Sequence, residues 1–91
     1  MKTEELKELF EKHDDQFLKG EIEGSRDLAA ILRLQSIAPV TSKVVSGVGH
    51  GQFWLAHDEE AVAAKATEED VIFLVQCGLM YDEGEGFSFF S

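Results

Sequence analysis

The apolar residues of this chain change their spacing three times, and those changes limit what it can fold into. Over residues 4–19 the residues Leu6, Leu9, Phe10, His13, Phe17 and Leu18 recur in steps of three and four, one stripe of a helix. Thr3 is placed to cap it, Glu4 and Glu5 stand in the first turn where the helix dipole favours acids, and Gly20 is a natural stop. Gly24-Ser25 reads as a turn and cap for a second helix, Arg26 to Ser36. Leu28, Ala29, Ile31, Leu32 and Gln35 are expected to line its inner side, with Leu34 widening the apolar face. Pro39 prevents much extension, because it offers no backbone donor and turns Ala38 away from helix. The short connection predicts an antiparallel helical hairpin.

After Pro39 the helical spacing gives way to β-branched, extended sequence. Lys43 to Val48 and Gln52 to Ala56 read as two strands, with Gly49-His50-Gly51 between them. Helical signals then return. Asp58 caps a short helix through Ala64, and Thr67 opens another with Asp70 three residues on, in capping-box position. Val71, Leu74 and Val75 form its inward face, Ile72 lies at the margin, and Gly78 ends it. Leu79-Met80-Tyr81 and Phe87-Ser88-Phe89-Phe90 flank the acidic turn Asp82-Glu83-Gly84-Glu85-Gly86, a second hairpin. The predicted fold is α+β: a small, mostly antiparallel sheet of two hairpins with helices packed on one face, in the order α-α-β-β-α-α-β-β. The last strand is read as a sheet edge, so Phe87, Phe89 and Phe90 need cover from the helices or from a second copy.

With 91 residues the chain makes one domain, 1–91, with little room for both a core and a deep cleft. The hydrophobic fraction, 44%, suffices for a packed core. A lone cysteine, Cys77, excludes an internal disulfide and suits a reducing compartment. The charged start lacks the apolar core of a signal peptide, and no apolar run approaches membrane-spanning length, so the expectation is a cytoplasmic protein.

Charge is unevenly spread. The net charge is −10, yet residues 1–43 carry nine acids and seven bases, whereas residues 44–91 carry nine acids and Lys65 as the single base. A C-terminal half of this sign repels nucleic acid and anionic membrane. It serves solubility, or it attracts a basic partner.

Chemistry-bearing motifs are scarce. His13, His50, His57 and Cys77 fall in no zinc-binding spacing, and the acidic turn lacks the ligand order of a calcium loop, so no metal and no cofactor are expected. His13 is expected to be packed and hydrogen-bonded on its stripe. Cys77 closes a helix, where the dipole disfavours a thiolate, and reads as a small buried hydrophobe. Ser46 has no activating neighbours. A His50/Asp58 or His57/Asp82 pair is the only catalytic arrangement left open, in a chain so rich in acids that such pairs arise by chance. The glycines at 47, 49 and 51 open no helix and precede no phosphate-binding lysine. The chain therefore reads as a binding protein rather than an enzyme. Trp54 faces opposite to Phe53 and Leu55 on its strand: it anchors a partner if exposed, and is core if a helix covers it.

His50, Phe53-Trp54-Leu55, Asp58, the alanine-rich stretch 61–66, Thr67-Glu68-Glu69-Asp70-Val71, Cys77-Gly78, Tyr81-Asp82 and the short apolar tail together resemble a family of small uncharacterised proteins of tailed phages and prophages. Arg26-Asp27-Leu28 at the second helix is similar too. The match is best over the last 45 or so residues. Where the family follows its histidine with Asp-Glu this chain has Gly51-Gln52, and Gly84-Glu85-Gly86 also departs from the usual turn. The family brings no catalytic residues. The resemblance implies an accessory protein acting in a bacterial host.

Two functions are carried forward. In the first, the chain binds a basic host protein surface and blocks a nucleic-acid channel, as an anti-CRISPR or similar inhibitor of host defence does, through Trp54, Asp58, Glu59, Glu60, Glu68, Glu69, Asp82, Glu83 and Glu85. Carboxylates there stand where phosphates would sit. In the second, it is an assembly component that forms a homodimer or larger homo-oligomer through its C-terminal strand.

Overall fold

A computed structural model describes residues 1–16, 25–49 and 51–90. Its helices are α1 (Thr3–Lys12), α2 (Arg26–Ile37), α3 (Glu59–Lys65) and α4 (Glu68–Gln76), and its strands are β1 (Val45–Gly49), β2 (Gln52–Leu55), β3 (Met80–Asp82) and β4 (Gly86–Phe90). This is the predicted order, and the strands make one antiparallel sheet with helices on one face.

The caps of the second half form as their residues dictate. The Asp58 carboxylate accepts from the Ala61 amide at 3.0 Å. Thr67 and Asp70 close a reciprocal capping box at 2.9 and 3.2 Å. At the far end of α4 the Gly78 amide reaches Val75 O and the Leu79 amide reaches Leu74 O, at 2.9 and 3.0 Å. That paired closure needs a left-handed residue, and Gly78 supplies it with φ +90°.

The N-terminal half departs from expectation in three ways. First, α1 starts one residue early, with Lys2 rather than Thr3 at the N-cap, and ends at Lys12, followed by a 3-10 turn Asp14–Gln16. Asp14 and Asp15 would put two negative charges at the negative end of a longer helix, which disfavours its continuation. Phe17, Leu18, Gly20 and Gly24 lie outside the described residues. Second, the inner stripe of α2 is Ala30, Leu34 and Ile37, whereas Leu28 and Leu32 are 54% and 61% exposed. Two arginines share that inner side. Arg26 donates to Gln76 O at 2.7 Å, while Arg33 donates to Asp70 at 2.8 Å and stacks on the Phe73 ring at 4.3 Å. These ties join the start of α2 to the end of α4, and the later turns of α2 to the start of α4, so the two helices run antiparallel. Third, α1 packs on α4, α3 and β3, and α2 packs on α3 and α4, so neither has the other as its main partner and the predicted helical hairpin is replaced by this layer.

The strand order is β1-β2-β4-β3. The C-terminal strand is therefore interior, paired with β2 on one side and β3 on the other. This corrects its reading as a sheet edge and closes the homo-oligomer route through that edge; β1 and β3 are the edges. Phe53 stacks on Phe89 and Tyr81 on Phe87 across the sheet, with ring centroids 5.3 and 4.8 Å apart, and Phe10 of α1 covers Tyr81 and Phe87. Phe87, Leu6, Leu34, Leu74, Val62 and Val71 are fully buried between sheet and helices. Among the described residues no helix is long and apolar enough to cross a membrane.

Candidate functional site

The acids of the second half fall into two groups with different fates. One group opens α4, and bases from the N-terminal half meet it. Glu68 accepts from His13 at 2.8 Å and from Lys12 at 3.2 Å, and these contacts, His13 first, hold its carboxyl below the ordinary value. His13 is thus the packed, hydrogen-bonded residue its stripe implied. Burial alone would raise the Asp70 carboxyl, but hydrogen bonds from Thr67 and Arg33 leave it lowered. Glu68 and Glu69 are exposed and Asp70 is half-buried.

The other group gathers where α3 begins beside the β3–β4 turn. Glu59 brings them together: one carboxylate oxygen accepts from both the Tyr81 hydroxyl and the Gly84 amide, each at 2.8 Å. The turn is shaped to present that amide, with the Glu85 amide donating to Asp82 O at 2.9 Å and Gly84 at φ +88°. Asp58, Glu60, Asp82, Glu83 and Glu85 are all exposed around this tie. Tyr81 shows the crowding of charge. Burial, the bond to Glu59 and the charges of Glu59 and Glu83 all push its hydroxyl up. Glu59 itself, read from sequence as a solvated docking residue, is half-buried and holds α3 to the second hairpin.

The helices leave the other sheet face bare among the described residues. Register sets Trp54 opposite Ser88 and Ser88 opposite Met80, so these three share that face with Gln52 and Asp82 at alternate positions. Gln52 donates to Ser88 at 2.9 Å, and Ser88 is buried beneath its longer neighbours. Trp54 is half-buried, opposite to Leu55 in the core. Of the nine sequence-predicted residues, then, Asp58, Glu60, Asp82, Glu83 and Glu85 form one patch around Glu59. Trp54 shares the bare face with Asp82, and Glu68 and Glu69 stand at the other end of α3.

The His57/Asp82 pair that the sequence left open does not form. His57 is 3% exposed and its Nε2 lies 2.8 Å from Gln35 Oε1. The same oxygen accepts from the Val40 amide, and Gln35 Nε2 donates to Val40 O, which fixes the amide orientation. His57 Nε2 is therefore the protonated nitrogen, and Nδ1 is buried with no partner among the described residues. Desolvation holds the ring below its ordinary pKa. Gln35, not Asp82, is its polar partner, and His50 of the other pair lies outside the described residues. Cys77 is buried, and burial pushes its thiol up. Among the described residues no three His, Cys, Asp or Glu side chains are grouped to hold a metal ion.

Set against protein-family models, curated proteins and solved structures, the chain matches none. The site therefore rests on its own chemistry. Sequence reading missed Lys12, Arg26 and Arg33, which neutralise or cap α4 from a distance of 37 residues or more. Their presence was visible only as the near-balance of charge in the first half.

Proposed function

We propose that the chain is a small phage-type accessory protein that binds a basic protein surface of a bacterial host cell and occludes it, competing with nucleic acid for that surface. The observation that carries this is that the exposed carboxylates Asp58, Glu60, Asp82, Glu83 and Glu85 of the second half gather at one place, the α3 start and the β3–β4 turn, while Glu68 and Asp70 of α4 are met by Lys12 of α1 and Arg33 of α2. An acidic patch of this kind orients a basic partner as it approaches and speeds encounter. Carboxylates spaced along a turn offer a basic groove the acceptors that phosphates offer. The resemblance to tailed-phage proteins supplies the cellular setting of the proposal. Asp82 borders both the patch and the bare face, and Trp54, two strands away on that same face, is the anchor this reading assigns.

The test is parallel affinity capture from a bacterial lysate at low salt with the parent chain, with Glu60→Lys/Glu83→Lys/Glu85→Lys, and with Glu69→Lys as a surface control. The expected outcome is a basic nucleic-acid-binding protein that the parent and control retain, that salt elutes, and that nucleic acid displaces. A folded triple variant that retains the same protein equally well refutes the docking patch.

A further inference from the structure

The two edges of the sheet are finished differently. β3 is three residues long, ends in the acidic turn and lies under α1. Shortness, charge and cover are the devices that keep an edge from pairing. β1 is longer and has no helix over it, and its five residues, Val45-Ser46-Gly47-Val48-Gly49, contain no charge and no proline, so a bulge is its one guard. Its register with β2 slips between Val45 and Gly47, and this bulge turns Val45 and Val48, three positions apart, toward the same side as Leu55 and Phe53. That is the core side, yet Val45 is 38% and Val48 79% exposed, beyond the reach of the helices.

We infer that β1 pairs antiparallel with β1 of a second copy, extending the sheet from four strands to eight. A two-fold axis between Ser46 and Gly47 sets Val45 of each copy opposite Val48 of the other, so one strand satisfies both the free backbone edge and the stranded valines of its twin. Charge placement selects a second copy over the basic partner of the preceding section. The acidic patch sits at the β3 edge, the far side of the sheet, and offers nothing at β1 to guide a cationic strand. In the dimer the two patches stand on the order of 30 Å apart, from seven strand spacings, several times the Debye length at physiological salt. The patches themselves are therefore screened from one another, and the repulsion that remains is that between the net charges, −10 each, of two acidic chains. The contact is small, so the dissociation constant is expected on the order of 100 μM. Pairing ends at two copies, because it consumes the longer, uncharged edge of each and leaves only the short, acidic, covered β3 edge.

Sedimentation equilibrium over a concentration series spanning that value tests the inference, at low and at raised salt. A monomer–dimer equilibrium that tightens with salt is expected, and Val48→Lys weakens it at least about tenfold. Val48 is exposed, so this variant keeps its fold; Gly49→Lys is a second probe, since a Cβ there meets nothing within 4 Å. The dimer survives Glu60→Lys/Glu83→Lys/Glu85→Lys, which separates its failure from failure of the docking patch. A monomer throughout the series, association beyond two copies, or a dimer indifferent to both lysine variants overturns the inference.

Discussion

Replacing Glu59 with alanine should destabilise the fold far more than an acid at the surface of so acidic a chain has any reason to. The Tyr81 hydroxyl, on a residue 9% exposed, loses its acceptor. A hydrogen bond to a charged group is worth about 1.5–3 kcal/mol, and a buried hydroxyl left unpaired keeps the desolvation cost. The Gly84 amide sits on an exposed turn where water replaces the carboxylate, adding about 0.5 kcal/mol at most. Loss of an acid from the first turn of α3 adds roughly 0.3–1 kcal/mol. The total is about 2–4 kcal/mol, against roughly 5–14 kcal/mol for a domain of this length. Urea unfolding reads it as a fall in midpoint of about 1–3 M at unchanged slope. Glu59→Gln keeps an acceptor and should cost about 1 kcal/mol. In a double-mutant cycle Glu59→Ala and Tyr81→Phe should couple by about 1–2 kcal/mol. Tyr81 is the only tyrosine, so phenolate absorbance reports it alone, and Glu59→Gln should bring its ionisation to lower pH. A Glu59→Ala protein with the parent midpoint, or strict additivity with Tyr81→Phe, refutes the tie and returns Glu59 to the docking surface.

Three further outcomes follow from other parts of the core. Leu74→Ala should cost about 2–5 kcal/mol, because the side chain is fully buried, while Leu9→Ala should cost less because Leu9 is only partly covered; equal denaturant midpoints for the two would show the stripe misassigned. His57 is held below its ordinary pKa, so the unfolded chain takes up its proton first: stability is intact above about pH 6.5 and falls as the pH drops from there toward the folded pKa. Denaturant midpoints measured from neutral pH to about pH 5.5 check this, before the lowered carboxyls Glu68 and Asp70 titrate, and His57→Gln should flatten the slope. Cys77, 4% exposed with a raised thiol pKa, should label with thiol reagents many times more slowly in the native protein than in denaturant; equal rates would refute its burial.

What the sequence made legible was local. Asp58, Thr67, Asp70 and Gly78 act on backbone within four residues, so their roles could be read directly, and element order followed from them. Two failures have one cause, which is interaction across distance. The inner stripe of α2 runs through Arg26, Ala30, Arg33, Leu34 and Ile37, and its arginines look like solvent-facing residues until α4 provides Gln76 O and Asp70 for them. A rule that puts leucines inward therefore turns the helix over and hides Leu28 and Leu32, the exposed ones. The place of β4 in the sheet was equally out of reach. Two hairpins of given sequence assemble in several orders, and only long-range pairing of Phe53 with Phe89 decides for β2 beside β4. The candidate patch was half legible: its acids were conspicuous, but not which of them the fold itself employs.

That distinction bears on what the remaining charge is for. Acids that stabilise a fold are found with partners, as Glu68, Asp70 and Glu59 are. Asp58 caps a helix, but Glu60, Asp82, Glu83 and Glu85 crowd around it exposed, and like charges held this close oppose folding rather than aid it. Solubility is already served by the exposed acids of α1 and the turn after it, Glu4, Glu5, Glu8, Glu11, Asp14 and Asp15. Here Lys12, Arg26 and Arg33 are directed to α4, and among the described residues no ion pair meets Glu60, Asp82, Glu83 or Glu85. The result is a molecule with an acidic patch and, three strands away, an uncharged edge. Salt separates the two surfaces, since raised ionic strength weakens attraction at the first and relieves repulsion at the second. A single salt series on the parent chain, followed by both partner binding and self-association, should move the two readings in opposite directions.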